Sequence, residues 1–262
     1  MNEHKNQGIE MAEPNQWSSI KRVVAVMSGK GGVGKSSVTS LAAVELRRRG
    51  LNVGILDGDI TGPSIPRLFD VGRNDIKESE MGLLPALSKN GIQIISINLL
   101  LAEDTDPVVW RGPIIGNTIK QFFTDVIWNN IDVLLVDLPP GTGDAPLSTL
   151  QSIPLDGVVI VSSPQDVAVL VVEKAIKMVQ LMNKPLLGLI ENMSGIICPH
   201  CGERFEVLGK SQGEELSKRY GLSWLGSLPI DPALAELTGR IEEYRSPAED
   251  TIRRLADVVE GK

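Results

Sequence analysis

Eight consecutive residues, Gly29-Lys30-Gly31-Gly32-Val33-Gly34-Lys35-Ser36, constrain this chain more than any other feature. They satisfy the pattern G-x-x-x-x-G-K-[ST], and they lie between an apolar run at 23–27 and a helical stretch over 35–49 that stops at Gly50. That context demands a strand, a tight glycine turn and a helix in immediate succession. The glycines let the backbone curl so that successive N–H groups converge, and the helix N-terminus adds its positive end, which together make an anion cradle. Lys35 supplies a point charge for the β and γ phosphates of a nucleotide, and Ser36 supplies a hydroxyl for Mg2+.

The rest of the chain repeats the strand-helix alternation. Apolar runs follow at 53–57, 92–99, 133–136, 157–161, 186–190 and 224–228, several of them continuous, as strands buried on both faces tend to be. Between them, helices are predicted over 116–126, 167–182 and 214–220. The pattern reads as a doubly wound α/β fold with a mostly parallel sheet and helices on both faces. Residues 1–19, rich in Asn, Gln and Glu, read as a flexible leader, and 20–262 as a single domain. Residues 67–86 are poorly periodic and read as a surface loop. Ser246-Pro247-Ala248-Glu249 offers an N-cap, a proline at the first helical position and a capping-box acid, so a final helix should start there. Its stripe of Ile252, Leu255, Ala256 and Val259 suits core packing, because the other faces mix both charges where a membrane-surface helix needs cations.

Charge and cysteine usage narrow the setting. Twenty-six Lys and Arg against thirty-three Asp and Glu leave a formal charge of -7, which disfavours a bulk grip on nucleic acid or anionic lipid. The N-terminus lacks the apolar core of a signal peptide, and no apolar run approaches the ~20 residues that span a bilayer. A soluble cytoplasmic protein without nucleic-acid or membrane partners is expected. The only two cysteines, Cys198 and Cys201, are no disulfide framework and point to metal or redox chemistry in a reducing cell.

Two acidic positions complement the glycine loop. Val133-Leu134-Leu135-Val136-Asp137 delivers an aspartate to the C-terminal end of a strand, where ligands gather in open α/β sheets, and it suits Mg2+ through a water. Asp57-Gly58-Asp59 ends the strand after the loop's helix, and a carboxylate there can orient an attacking water or sit close to Mg2+. Pro139-Pro140-Gly141-Thr142-Gly143-Asp144 follows Asp137 directly and is a candidate for movement when a γ phosphate leaves.

Cys198-Pro199-His200-Cys201 has three readings. As half of a metal site it needs two more ligands, since iron-sulfur clusters and structural zinc take four, and a symmetric dimer would supply them. As a redox pair it would belong at a helix start near the first strand of a small domain, whereas it lies far downstream. Zinc, native or as a substitute, is the third. His200 reads as a solvent-facing or hydrogen-bonding neighbour of the pair.

The run Lys30-Gly31-Gly32-Val33-Gly34-Lys35-Ser36 resembles the deviant Walker A of the MinD/ParA class of dimerising ATPases. Further matches are Asp57-Gly58-Asp59-Ile60-Thr61-Gly62-Pro63-Ser64-Ile65-Pro66, Trp110-Arg111-Gly112-Pro113, the stretch from Asp137 to Asp144, Ser163-Pro164-Gln165-Asp166-Val167-Ala168, and Glu191-Asn192-Met193-Ser194 leading to the cysteines. Together they closely resemble the Mrp/ApbC-type iron-sulfur cluster carrier ATPases over residues 22–232. The resemblance implies that Gly29, Lys30, Gly31, Gly32, Val33, Gly34, Lys35, Ser36 and Ser37 hold ATP, with Ser37 on the α phosphate and Asn192 reading the adenine. It implies Lys30 acting across a homodimer on the partner's nucleotide, Lys35 as a catalytic lysine, Asp59 as the hydrolytic or Mg2+-linked carboxylate, and Ser36 and Asp137 serving Mg2+. It also implies a 4Fe-4S cluster bridging two Cys198/Cys201 pairs, received from a donor and passed to apo-proteins with slow ATP hydrolysis to ADP and phosphate. Departures are the stretch Glu206-Val207-Leu208-Gly209-Lys210-Ser211-Gln212-Gly213, less Gly-rich than usual, and Gly58 where Ala is common. The competing functions are a partitioning or positioning ATPase switch and a zinc-stabilised ATPase scaffold without cluster transfer.

Overall fold

The computed structural model describes residues 11–59, 64–100, 112–165, 169–198, 200–236 and 238–262. Residues 1–10 of the expected leader, 60–63, 110–111 and 166–168 of the quoted motifs, and Pro199 between the cysteines lie outside the described residues.

Strand β1 (Val23–Ser28) runs through the glycine loop into α1 (Lys35–Arg48), and β2 (Val53–Asp57) follows. After α2 (Ser64–Phe69) come β3 (Lys77–Ser79), β4 (Gly82–Leu84), β5 (Ala86–Leu87) and β6 (Gln93–Ser96). Then α3 (Gly112–Asp125), β7 (Val133–Asp137), α4 (Asp144–Ser152), β8 (Gly157–Ser162), α5 (Val169–Leu181) and β9 (Leu186–Glu191) alternate as the pattern requires. The chain closes with a hairpin of β10 (Ile196–Ile197) and β11 (Arg204–Phe205), then α6 (Gly213–Tyr220), β12 (Trp224–Ser227), α7 (Pro232–Glu236) and α8 (Glu249–Glu260).

Among the described residues, eight strands form one sheet in the order β12-β9-β8-β1-β7-β2-β6-β5, parallel throughout except for β5 against β6. The continuous apolar runs explain why β1, β2, β7 and β8 occupy its interior: each is buried along its whole length. Alternate side chains feed opposite cores. Val24 and Val26 pack with α1 and α8, while Ala25 and Met27 pack with Phe123, Trp128 and Val172 on the other face. All the parallel strands therefore present their C-terminal ends on one rim, and the glycine loop, Asp57 and Asp137 meet there.

Four sequence expectations are revised. The run 92–99 is not one strand: β6 stops at Ser96 and a tight 3-10 turn spans Ile97–Leu100, because Ser96 and Asn98 hydrogen-bond sideways instead of continuing the ladder. The last helix starts at Glu249, not Pro247, because the Ser246 hydroxyl accepts the Ala248 N–H two residues on and so closes a turn before the helix. Its apolar stripe is buried as expected. Residues 11–19 are tied to the domain: Ala12 is buried, its N–H bonds the Ser152 carbonyl, and the Ser18 hydroxyl bridges Val126 and Trp128. Residues 67–86 contain the β3–β4 hairpin, docked by a bridge from Leu83 to Val126. No helix among the described residues is long and apolar enough to cross a membrane.

Candidate functional site

The glycine loop is shaped by two residues that only glycine suits. Gly32 (φ +81°) and Gly34 (φ +75°) are left-handed, and a Cβ at Gly34 would run into the Asn192 carboxamide. The loop is also packed from behind, since a Cβ at Gly29 would sit 2.6 Å from the Val171 carbonyl of α5. On the open side, Gly32 meets nothing within 4 Å. The N–H groups of Gly31, Gly32, Val33 and Gly34 find no backbone acceptor among the described residues. They face a cavity of about 210 Å3 lined by Ser28, the residues from Lys30 to Ser37, Asp59, Ser64 and Pro140. Open N–H groups over a helix N-terminus are the donor set for a phosphate chain.

Beneath the loop lies a buried row of polar groups. Asp137 is fully buried; its Oδ2 accepts the Lys35 ammonium at 2.8 Å and the Ser36 hydroxyl at 2.6 Å, and its Oδ1 accepts Thr39 Oγ1 at 2.7 Å. Lys35 Nζ also lies 3.6 Å from Asp59 Oδ2. Burial by itself would lower the Lys35 pKa, but the charges of Asp137 and Asp59 outweigh it and hold the ammonium above its ordinary range. Register places Asp57 beside Asp137 on one neighbour and beside Ser96 on the other. Burial and the adjacent Asp137 charge push the Asp57 carboxyl up to about 8, against the Ser96 hydrogen bond and Lys35. Ser36 and Asp59 line this cavity and Asp137 lies directly behind Ser36, and the three offer hard oxygen donors, the chemistry that Mg2+ selects.

The remaining predicted nucleotide residues stand around this cavity. The Asn192 amide donates to the Val33 carbonyl at 2.9 Å and is buried against the loop. Lys30 Nζ donates to the Gln165 carbonyl of its own chain at 3.0 Å. Pro140 covers Gly31, and the Gly141 N–H bonds Ser28 O, so the segment after Asp137 leans on the loop.

The cysteines sit at the tip of the β10–β11 hairpin. The Cys198 N–H bonds Glu203 O and the Gly202 N–H bonds Cys198 O, which folds the four-residue spacing into one turn. Cys201 is exposed and Cys198 partly so. The N–H groups of Cys201 and His200, with the Cys201 thiol, lower the Cys198 pKa and favour its thiolate. Among the described residues no third His, Cys, Asp or Glu joins the pair, so one chain offers two ligands. The hairpin hangs from the strand that serves the loop. Asn192 contacts Val33; two residues later Ser194 Oγ and O accept the Arg204 guanidinium of β11 at 2.7 and 2.9 Å. Between them Met193 turns through a left-handed conformation (φ +59°).

The ParA family model, described as NUBPL iron-transfer P-loop NTPase, matches residues 19–260. The chain belongs to this family. An iron-sulfur cluster carrier protein of Methanocaldococcus jannaschii is 41% identical over 257 residues, covering 94% of this chain and 87% of the relative. The cytosolic Fe-S cluster assembly factor NUBP2 of Gallus gallus is 41% identical over 260 residues, 95% of each chain. A nucleotide-binding protein from Archaeoglobus fulgidus, solved in complex with ADP, superposes with a TM-score of 0.76 at 44% identity, covering 86% of this chain and 89% of that one. The cell division ATPase MinD of Pyrococcus furiosus, at 21% identity and a TM-score of 0.59, shares the fold.

The family is one of P-loop NTPases, and the glycine loop carries the pattern for which it is named. Several residues that build the site escaped the sequence reading. Thr39, one turn beyond Ser36, completes the donors on Asp137. Ser96 and Asn98 close the far end of the row, Arg204 fastens the hairpin, and Glu191 fixes the start of α6 by accepting the N–H groups of Gln212 and Gly213 at 3.2 Å. Only Thr39, at one helical turn from the Lys-Ser pair, carried a local signal.

Proposed function

We propose that this protein is an ATP-dependent iron-sulfur cluster carrier that works as a homodimer in the cytoplasm. The observation that carries the reading is the three-residue run from Asn192 to Ser194, which touches the nucleotide loop at one end and the cysteine hairpin at the other. The names of the relatives support the cargo. Two thiols per chain are half of a four-thiolate set, so a 4Fe-4S cluster is held between the Cys198 and Cys201 of two subunits and handed to apo-proteins after receipt from a donor.

In the hydrolytic cycle the N–H groups of the loop and Lys35 take the β and γ phosphates, Ser37 the α phosphate, and Asn192 meets the adenine. Phosphate oxygens compete with Asp137 for the Lys35 ammonium, which the structure shows committed to that carboxylate. Asp59 orients a water for attack on the γ phosphorus; the β–γ bridging oxygen leaves with the bonding pair as ADP. Ser36, Asp137 and Asp59 would hold Mg2+, which would supply neutralisation of the charge on the phosphate oxygens. Lys30 acts on the partner's nucleotide, for which it must release the Gln165 carbonyl. Hydrolysis is slow and linked to transfer. Nucleotide occupancy is felt by the hairpin through residues 192–194 and by the dimer through residues 137–144.

The test is iron, sulfide and zinc per subunit after anaerobic reconstitution, with Cys198→Ser and Cys201→Ser alongside, followed by transfer to an apo-protein with and without ATP. About two iron and two sulfide per subunit, lost in both variants, is the result expected of a bridging cluster. Zinc alone, or a transfer rate that Lys35→Ala leaves at the ATP-stimulated value, overturns the reading.

A further inference from the structure

Across three neighbouring strands the fold aligns Ser96, Asp57 and Asp137 in register, at the rim where the nucleotide loop sits. Asp137 serves Lys35, Ser36 and Thr39. The other half of the row faces a different target. Ser96 Oγ donates to Asp57 Oδ2 at 2.7 Å, and Asp57 Oδ1 accepts the Asp59 N–H at 3.1 Å. The Asn98 carboxamide donates to the Asp59 carbonyl at 3.0 Å, and its N–H and Nδ2 lie 3.3 and 3.4 Å from Ser96 Oγ. The residue before Asp59 is fixed too, because the Gly58 N–H bonds the Asp137 carbonyl at 2.9 Å.

We propose that Ser96 and Asn98 are positioning residues for ATP hydrolysis, holding the Asp59 peptide from both sides so that its carboxylate stays beside Lys35 at the phosphate cavity. The proposal rests on the reading of Asp59 as the hydrolytic carboxylate. Three observations carry it. Ser96 is fully buried, Asp57 is 1% exposed and Asn98 9%, so these polar groups are withdrawn from water, which is costly unless each bond is made. Their hydrogen bonds reach Asp59 on both sides, Asp57 Oδ1 on its N–H and the Asn98 carboxamide on its carbonyl, just beyond the end of a strand. And Asp59 Oδ2 stands 3.6 Å from Lys35 Nζ on the wall of the cavity, so the peptide that these bonds hold sets where a water-orienting carboxylate lies. Positioning of such a group within a fraction of an ångström governs the chemical step while leaving phosphate binding alone, since the loop N–H groups and Lys35 hold the phosphates independently.

The experiment is steady-state Mg-ATP hydrolysis and ADP affinity of the full chain for Asn98→Ala, Ser96→Ala, Ser96→Thr and Asp59→Ala, with Asn98→Ala also placed in the Asp59→Ala background. Asn98→Ala and Ser96→Ala are expected to lower kcat about ten- to a hundredfold. The KM for ATP and the Kd for ADP should stay within about twofold, and Ser96→Thr, which keeps the hydroxyl, should recover most of the rate. In the Asp59→Ala background Asn98→Ala should cost nothing more, because the group it positions is gone. A wild-type kcat in Asn98→Ala, a parallel loss of ADP affinity, or a full additional loss on top of Asp59→Ala overturns the proposal. If Asp59→Ala itself hydrolyses ATP at the wild-type rate, the reading of Asp59 fails, and the proposal falls with it. Ser96 is buried in the sheet and its Ala variant is open to misfolding; Asn98, at the rim, carries the test in that event.

Discussion

The nucleotide loop and the cysteine hairpin are joined by three residues, yet they are built in opposite ways. Around the loop the residues are buried and tied down: Lys35 is 4% exposed and bound to Asp137, Asn192 grips Val33, and Gly29 is pressed on the backbone of α5. The hairpin has two residues in each strand, exposes Ile197, Phe205 and Cys201, and leaves Gly202 with nothing within 4 Å of where its Cβ would be. The first arrangement is a preorganised site whose geometry precedes its ligand. The second is an exposed arm, which under the proposed function is half a site for a cargo that two subunits share and then release. The difference lies in burial, and burial predicts how each region answers substitution.

The largest effect is expected at Lys35. Removing its ammonium leaves Asp137 fully buried beside Asp57, with hydroxyl donors but no paired cation among the described residues. Breaking a buried ion pair in this way costs about 3–5 kcal/mol, so Lys35→Ala should lower the urea midpoint strongly. Its ATP hydrolysis should fall by at least about a hundredfold. Cys198→Ser, at the exposed tip, should leave the unfolding curve within about 0.5 kcal/mol of wild type. If the cysteine variant costs as much as the lysine variant, the hairpin is part of the cooperative core and the contrast fails.

How far the sequence foretold these two regions follows from the same physics. The alternation of strands and helices was legible because strands such as β7 and β8 are continuous apolar runs, buried on both faces. The loop was legible because its glycines and Lys-Ser pair are consecutive. Contacts between residues distant in the chain left no such trace. Ser96 and Asn98 sit inside an apolar run that reads as strand, and their partners lie on the other side of α2. Glu191 caps the start of α6 from 21 and 22 residues away. Ser246 carries the N-cap signal but spends its hydroxyl on a turn, which periodicity cannot distinguish from a helix start. The Cys pair declared metal or redox chemistry by spacing; its link to the loop through residues 192–194 depended on how β9 ends.

A smaller effect separates two glycines. A Cβ at Gly29 would meet the Val171 carbonyl oxygen at 2.6 Å, and since that atom belongs to a helix the strand or the helix must move. Gly29→Ala should therefore cost about 1–3 kcal/mol of global stability and weaken ADP binding by tilting the loop. Gly202 is left-handed (φ +73°) but has open space, so Gly202→Ala costs about 1–2 kcal/mol within the hairpin alone. Calorimetry should show a lowered Tm for the first and an unchanged one for the second, while alkylation of Cys198 and Cys201 should accelerate only in the second. Equal Tm losses would mean that hairpin and domain unfold as one unit.

The smallest effect, and the one that probes the joint between the regions, is expected at Arg204. Its guanidinium donates to Ser194 O and Oγ at 2.9 and 2.7 Å, with Ser227 Oγ at 3.4 Å, and these bonds fasten β11 to the segment that leaves Asn192. Being partly exposed, they are worth about 1 kcal/mol together, a factor of about five in the population of a loosened hairpin. Arg204→Ala should therefore raise the thiol alkylation rate about fivefold while ATP hydrolysis and Tm stay at wild-type values. The decisive comparison adds nucleotide. If residues 192–194 carry occupancy of the loop to the cysteines, ATP alters alkylation in the wild type and ceases to do so in Arg204→Ala, because the hairpin no longer follows Ser194. A nucleotide effect that survives the substitution undiminished assigns the coupling to the dimer contact through residues 137–144 instead, and leaves the hairpin a passive arm on a preorganised ATPase.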